Sequence, residues 1–394
     1  MWGLLYGLER NAPGLPALTR WALAVGCAVS VGNLYYLQPL LAGVSREFGV
    51  TEARAGLAAT LTQVGYALGM LFVVPLGDVR ERRGLVVTAL AATVVAALAV
   101  SVAPSFGLLL LASLALGFAT CTPQILIPFA AALATPEARG RVVGFVLSGL
   151  LLGILLARTF SGFVGARLGW RMVYVIAAGL VAALAVALRL LLPEHREETR
   201  FSYGRLLRSL GELVREEPVL RESATYGALL FAAFSAFWTT LAFLLHPRGL
   251  GPDAVGLFGL VGAAGALAAP LAGRLSDRGS PRRTILAGIV AVVVSFAVML
   301  QGSITALVVG VLLMDVGVQA AHTSNLARVY ALRPEARSRL NTVYMTCYFT
   351  GGSLGSALGA AAWGAFGWPG VCAVGAACGL AALAVFAATR RRLP

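Results

Sequence analysis

TPEARGR, Thr135 to Arg141, returns 198 residues later as RPEARSR, Arg333 to Arg339. At the same offset Gly153 meets Gly351, and the pair Gly169–Trp170 meets Gly367–Trp368. Asp78 meets Asp277 one residue off that register. Polar signposts that recur in the same order across half a chain mark an internal parallel repeat, so the protein is expected to consist of two like halves.

Apolar runs fill the space between these signposts. Of 394 residues, 59% are hydrophobic and 12% charged, with a mean hydropathy of +0.84. Runs of about 20 apolar residues suit helices that rise about 1.5 Å per residue across roughly 30 Å of hydrocarbon. Twelve such helices are predicted, near 20–44, 54–76, 84–103, 106–133, 142–167 and 171–192, then near 222–246, 254–275, 283–302, 304–328, 340–365 and 367–389. The fold class is therefore an all-α membrane protein of twelve transmembrane helices in two pseudo-symmetric six-helix halves. Residues 1–192 form the first half, 193–221 a linker and 222–394 the second half. Within the linker, Leu206, Leu207, Leu210 and Val214 follow a helical stripe, which predicts an amphipathic helix along the membrane.

The net charge of +14 comes from 31 basic residues, all of them arginine. Arg46, Arg54, Arg167, Arg171 and Arg248 lie in or beside the odd-numbered loops, and Arg158 lies inside a span; the others share the side of the termini. The positive-inside rule places both termini and the linker in the cytoplasm, so the charge reads as topology and no nucleic acid is expected. Without lysine there is neither a P-loop nor a Schiff base. The five cysteines lie in apolar runs without ligand or framework spacing, and read as packing residues. No metal, cofactor or enzyme chemistry is expected. The opening MWGLLYGLERNAPGLP, with Trp2 and Tyr6, reads as an N-terminal tail rather than a cleavable signal.

GRLSDRGSPRR, Gly273 to Arg283, resembles the loop signature of the major facilitator superfamily. VPLGDVRERRG, Val74 to Gly84, is its first-half copy, with Val74 where the pattern has Gly. The resemblance implies that the loop aspartates Asp78 and Asp277 cap facing helices and latch one state. Arg82, Arg83, Arg278, Arg282 and Arg283 are then their partners; the plainer reading of these arginines is topological anchoring. NLYYLQPLL (Asn33 to Leu41) and GILLARTFSG (Gly153 to Gly162) resemble bacterial twelve-helix drug and sugar efflux members. Two departures stand out: Ser113 occupies the place of a fourth-helix arginine, and Gly153 to Arg158 lacks the proline and later glycines of the antiporter motif. What the resemblance implies is a bacterial cytoplasmic-membrane protein exporting a small organic molecule against protons. The alternative is an uptake symporter or facilitator for a small organic anion. The expected partners are a small-molecule substrate, protons and bilayer lipid, with the chain acting as a monomer.

Inside hydrocarbon an ionisable side chain needs a reason, because inserting one at a helix centre costs about 3 kcal/mol. Arg158, midway along the fifth helix, and Asp315, midway along the tenth, are the deep cases. They could pair with each other, or Arg158 could hold an anionic group while Asp315 carries a proton; a static polar bridge is the bland reading. Asp315, Gln319 and His322 share a helical face at i, i+4 and i+7. Further cavity candidates are Asn33, Tyr36, Gln38, Gln124, Trp238, Asn325, Tyr344 and Tyr348, against a general expectation that such groups are interhelical glue. A channel would need repeated polar rings, which the sequence lacks.

Overall fold

In hydrocarbon every backbone N–H and C=O has to be satisfied within the chain, so an apolar chain of this length is forced into helices. The computed structural model describes residues 15–135, 137–195, 202–262, 281–333 and 336–389, and these are helical with short connections. The spans run over 17–48, Glu52–Asp78, Arg82–Ser101, Phe106–Leu133, Arg139–Leu168 and Trp170–Leu191 in the first half. In the second half they run over Pro218–Arg248, Pro252–Gly262, Pro281–Met299, Ile304–Leu332, 337–366 and 368–389. Asp277, Arg278, the rest of the eighth span and the N-terminal tail lie outside the described residues.

Local chemistry sets the helix ends. The hydroxyls of Thr51, Ser105 and Ser303 accept the backbone N–H of Arg54, Leu108 and Ala306, supplying partners for orphan first-turn donors. The repeated Gly–Trp pair has a geometric cause. Gly169 and Gly367 both take positive φ, 81° and 63°, at the turn between the last two spans of each half. A β-carbon would be strained there. The indole N–H of Trp368 then donates to the Met299 carbonyl at 2.7 Å, and that of Trp170 donates to Glu47. The PEAR repeat is explained in the same way. Arg139 Nε donates to the Ala131 carbonyl at 3.1 Å and Arg337 Nε to the Tyr330 carbonyl at 3.3 Å. Each arginine opens one helix and caps the C-terminal end of the helix before it.

Two predicted spans are broken. The first is not one helix over 20–44: it stops at Gly32, turns, and resumes as a 3-10 turn, Gln38–Leu40, and a short helix, Leu41–Phe48. Asn33 ends it by donating its side-chain amide to the carbonyls of Val29 and Ser30, and Pro39 cannot continue a helical ladder. The fourth breaks at Thr120 to Thr122 before restarting at Pro123. The linker helix, Tyr203–Glu216, buries Leu206, Leu210 and Leu213, so the stripe runs through Leu213 rather than the expected Val214, which is exposed. It touches both halves at the linker end of the bundle, with the Tyr203 hydroxyl on the Phe72 carbonyl at 2.7 Å and Arg333 on Glu216 and Glu217.

At the opposite end the halves are sewn together. Thr60 Oγ1 donates to Ser356 Oγ at 2.9 Å, Ser235 Oγ to Gln63 Oε1 at 3.2 Å, and Trp363 Nε1 to Glu52 at 2.6 Å. Thr159 Oγ1 donates to the Gly256 carbonyl at 2.9 Å, bringing the fifth span onto the eighth. Glycine permits the approach: a β-carbon on Gly162 would lie 2.3 Å from the Pro252 carbonyl oxygen.

Two consequences are measurable. A β-carbon on Gly117 would sit 1.9 Å from the Thr62 carbonyl oxygen, whereas Gly179 faces open space. Gly117→Ala should lower stability by about 1–3 kcal/mol in thermal unfolding of the purified protein. Gly179→Ala should leave it equal or raised by up to about 1 kcal/mol. The second concerns Glu81, which caps the third span by accepting the N–H groups of Arg83 and Gly84 and also accepts that of His195. Partial burial pushes its carboxyl up, but the amides of Gly84, Arg83 and His195 and the Arg83 guanidinium outweigh that and hold it below the usual range. A lowered carboxylate stabilises the fold above its unfolded-state pKa, and that contribution disappears as the pH falls through the folded one. Glu81→Gln should therefore cost about 1 kcal/mol at neutral pH. The gap to wild type should close only below about pH 4.

Candidate functional site

Between the halves lies a cavity of about 500 Å³, walled by the first, second, fourth and fifth spans on one side and the seventh to eleventh on the other. Arg158 enters it from the fifth span and is 2% exposed. Its Nε donates to Gln38 Oε1 at 2.7 Å. The break in the first span makes this possible, since Gln38 opens the 3-10 turn after that break. Aromatic faces from both halves cover the guanidinium, whose carbon lies 4.0 Å from the Trp238 ring centroid, 4.6 Å from that of Tyr35 and 5.5 Å from that of Phe234. Such stacking is attractive and stronger when water is excluded. Arg158 Nη2 nevertheless has no hydrogen-bond partner.

Asp315 reaches the same cavity from the tenth span, 6% exposed, and its Oδ2 also lacks a partner. The two ions share a wall, but no ion pair joins them. Gly262 explains how Asp315 and Trp238 come together: a β-carbon there would lie 3.0 Å from Asp315 Oδ2 and 3.3 Å from Trp238 Cζ2. The eighth span thus packs directly against both side chains.

Asp315, Gln319 and His322 all line the cavity from the tenth helix. His322 Nδ1 lies 3.1 Å from the Tyr344 hydroxyl, and its ring centroid is 4.8 Å from that of Tyr348. Gln124, Trp238 and Tyr348 line it as well, with Gln124 Nε2 donating to the Tyr66 hydroxyl at 3.4 Å. Five candidates do not line it: Asn33, Tyr36, Gln38, Asn325 and Tyr344. Asn33 spends its amide on its own helix, Tyr36 packs against Phe160 and Tyr174, and Asn325 and Tyr344 sit behind the wall. Gln38 acts on the cavity through Arg158. The first-span tyrosine that lines it is Tyr35, on the turn that follows Gly32. Phe231 and Phe234 were missed, although they share a face with Trp238 at i, i+3 and i+7.

At the linker end, Asp78 lies beside the start of the helix that begins at Arg337. Ser338 Oγ donates to Asp78 Oδ2 at 3.3 Å, and Arg82 Nη2 is 3.5 Å from Asp78 Oδ1. Of the expected partner arginines Arg82 lies next to its loop aspartate, and the contacts of Arg82, Arg83 and Arg282 run to groups of their own half. Arg82 donates to the Gly77 and Pro128 carbonyls, and Arg83 to the Leu192 carbonyl and Glu194. Arg282 meets Glu222, which also binds Arg328 at 2.8 Å, while Arg283 is exposed.

Known proteins share this architecture. Residues 23–278 and 227–394 each match the pattern of the Major Facilitator Superfamily. The putative uncharacterized transporter YgaY of Escherichia coli is 41% identical over 368 residues, 92% of this chain and 93% of that protein. The probable transporter SCO4007 of Streptomyces coelicolor is 35% identical over 360 residues, 90% of this chain and 84% of that one. Among solved structures, the human organic anion transporter MFSD10 (TETRAN) superposes with a TM-score of 0.72 at 17% identity, over 94% of this chain and 100% of the other. A bacterial homolog of the human lysosomal transporter Spinster, inward-facing and occupied, gives 0.71 at 17% identity, over 95% and 96%. These two likenesses establish fold. The family match and the relatives that span nearly its whole length place the chain in the Major Facilitator Superfamily, as a multi-pass membrane transporter of a small molecule and not an enzyme.

Proposed function

We propose that the protein is a proton-coupled exporter of a small organic molecule, working by alternating access between its two halves. The observation that carries this is the pair of buried, unpaired ions on one cavity wall, Arg158 from the first half and Asp315 from the second. A carboxylate oxygen buried without a partner costs free energy until a proton or a ligand reaches it. A group in that condition can exchange one for the other as the halves move. The linker end is taken as the cytoplasmic one because most of the arginines gather there, which orients the chain in the bacterial inner membrane with both termini inside. Residues 1–192 and 222–394 then act as the rocking bodies, with 193–221 tying them together as a monomer.

Asp78 is proposed as a latch, supported by its place at the start of the eleventh span. A carboxylate is favoured at a helix N-terminus, and the contact crosses between the halves, so it has to break in each cycle. Asp277, with Arg278, is assigned the corresponding role from the repeat alone, and the arginines Arg82, Arg83, Arg282 and Arg283 support the two loops. Asp78→Asn should slow turnover about tenfold, ~1.4 kcal/mol in the limiting step, while leaving ligand-induced thermal stabilisation unchanged.

Uptake of a small organic anion is the second reading, favoured by the fixed cation Arg158 with its unused Nη2. One experiment separates the two. Compounds that raise the unfolding temperature of the purified protein are added to proteoliposomes carrying an internal pH dye. In wild type they should drive proton movement opposite to their own. Asp315→Asn should reduce that movement at least about tenfold. Proton movement untouched by Asp315→Asn removes Asp315 from the coupling, and movement of both species in the same direction establishes symport.

A further inference from the structure

Among the described residues that line the cavity, three carry a buried polar atom without a hydrogen-bond partner: Arg158 Nη2, Trp238 Nε1 and Asp315 Oδ2. Nearly all buried polar groups in folded proteins are partnered, so three orphans carried by residues that line one cavity point to what fills it. Two are N–H donors, one on a fixed cation, and the third is a carboxylate acceptor. We propose that the cavity takes an amphoteric organic molecule: an anionic group on Arg158 and Trp238, an ammonium or similar donor on Asp315, and an aromatic or apolar body between them. This deepens the exporter reading and rests on it.

A simple cation would satisfy Asp315 but leave the Arg158 and Trp238 donors orphaned and place like charge beside a guanidinium. Arg158 cannot be deprotonated to relieve this. A simple anion would satisfy the donors and set two negative groups in one cavity, leaving Asp315 Oδ2 still without a partner. An amphoteric molecule answers all three atoms at once.

Trp238 shows why the protein does not neutralise itself. Its ring face lies 4.0 Å from the guanidinium carbon, and its Cζ2 edge borders the Gly262 position beside the Asp315 carboxylate. The indole is a spacer between the two ions. Gln38 holds the guanidinium from the far side through Nε, which leaves the Nη edge for the ligand. Phe231, Phe234 and Tyr348, the first stacked on both of the others, supply the flat apolar wall that the ligand body requires.

The test uses matched probes on the full chain purified in detergent, read by thermal-shift titration to millimolar concentration. One triplet is phenylalanine, phenethylamine and 3-phenylpropionate; the other is tryptophan, tryptamine and indole-3-propionate. The amphoteric member of each should bind at least about tenfold more tightly than its amine or its acid, since each loses one charge-assisted contact. Asp315→Asn should erase the preference over the acid, and Arg158→Gln the preference over the amine. Trp238→Phe keeps the spacer and removes the N–H, so it should weaken the amphoteric and acid probes but not the amine. An amine or acid that equals its amphoteric counterpart, or two triplets that leave the wild type unstabilised, overturns the assignment. The exporter reading fails separately. Amphoteric probes that bind best yet cross proteoliposomes without proton movement sink the coupling and keep the site. Proton movement driven by a simple amine or acid alone does the reverse.

Discussion

A guanidinium buried between two helical bodies has to be held by both, and Arg158 is. Gln38 and Tyr35 reach it from the first half, Phe234 and Trp238 from the second. A broken first span supplies Gln38, a continuous seventh supplies the aromatic face, and the small residue Gly262 brings the eighth against Trp238 and Asp315. Moving any of these would expose a positive charge to hydrocarbon, where it costs several kcal/mol. The ion is stacked and hydrogen-bonded through Nε instead of being paired to Asp315.

That arrangement is economical in contacts and therefore open to change. Aromatic rings bind a cation with little directional demand, so they can follow a guanidinium as the halves tilt. A bidentate carboxylate could not, because its geometry is fixed by two parallel bonds. On the proposed cycle the ligand, rather than the protein, supplies the directional partners, and binding then carries information about which state is occupied.

Much of this was legible in the sequence, and for identifiable reasons. The Gly–Trp pairs and the PEAR arginines recur because each half needs the same positive-φ turn and the same capping bond, so the repeat points straight to the fold. Asp315, Gln319 and His322 were readable because an unbroken helix preserves its phase. The first span was not. Once Asn33 ends the helix, periodicity no longer says which of Tyr35 and Tyr36 faces inward. Phe231 and Phe234 were hidden differently: in an apolar run, an aromatic residue lining a cavity has the same composition as one facing lipid. The unpaired state of Arg158 and Asp315 is a property of three-dimensional spacing, which sequence periodicity does not carry.

The far seam bounds how strongly the states can differ. Among the described residues four hydrogen bonds cross between the halves there, from Thr60, Ser235, Trp363 and Thr159. Interhelical bonds in bilayers average about 0.6 kcal/mol, so together they contribute roughly 2–3 kcal/mol to keeping that end closed. Reversing a two-state population from 1:99 to 99:1 takes about 5.5 kcal/mol of differential binding. A ligand that gains or loses one charge-assisted contact between states, about 1.5–3 kcal/mol, is therefore matched to the seam. On this reading a seam of hydrogen bonds rather than ion pairs suits transport, because weak bonds leave the ligand and the proton in control of the halves.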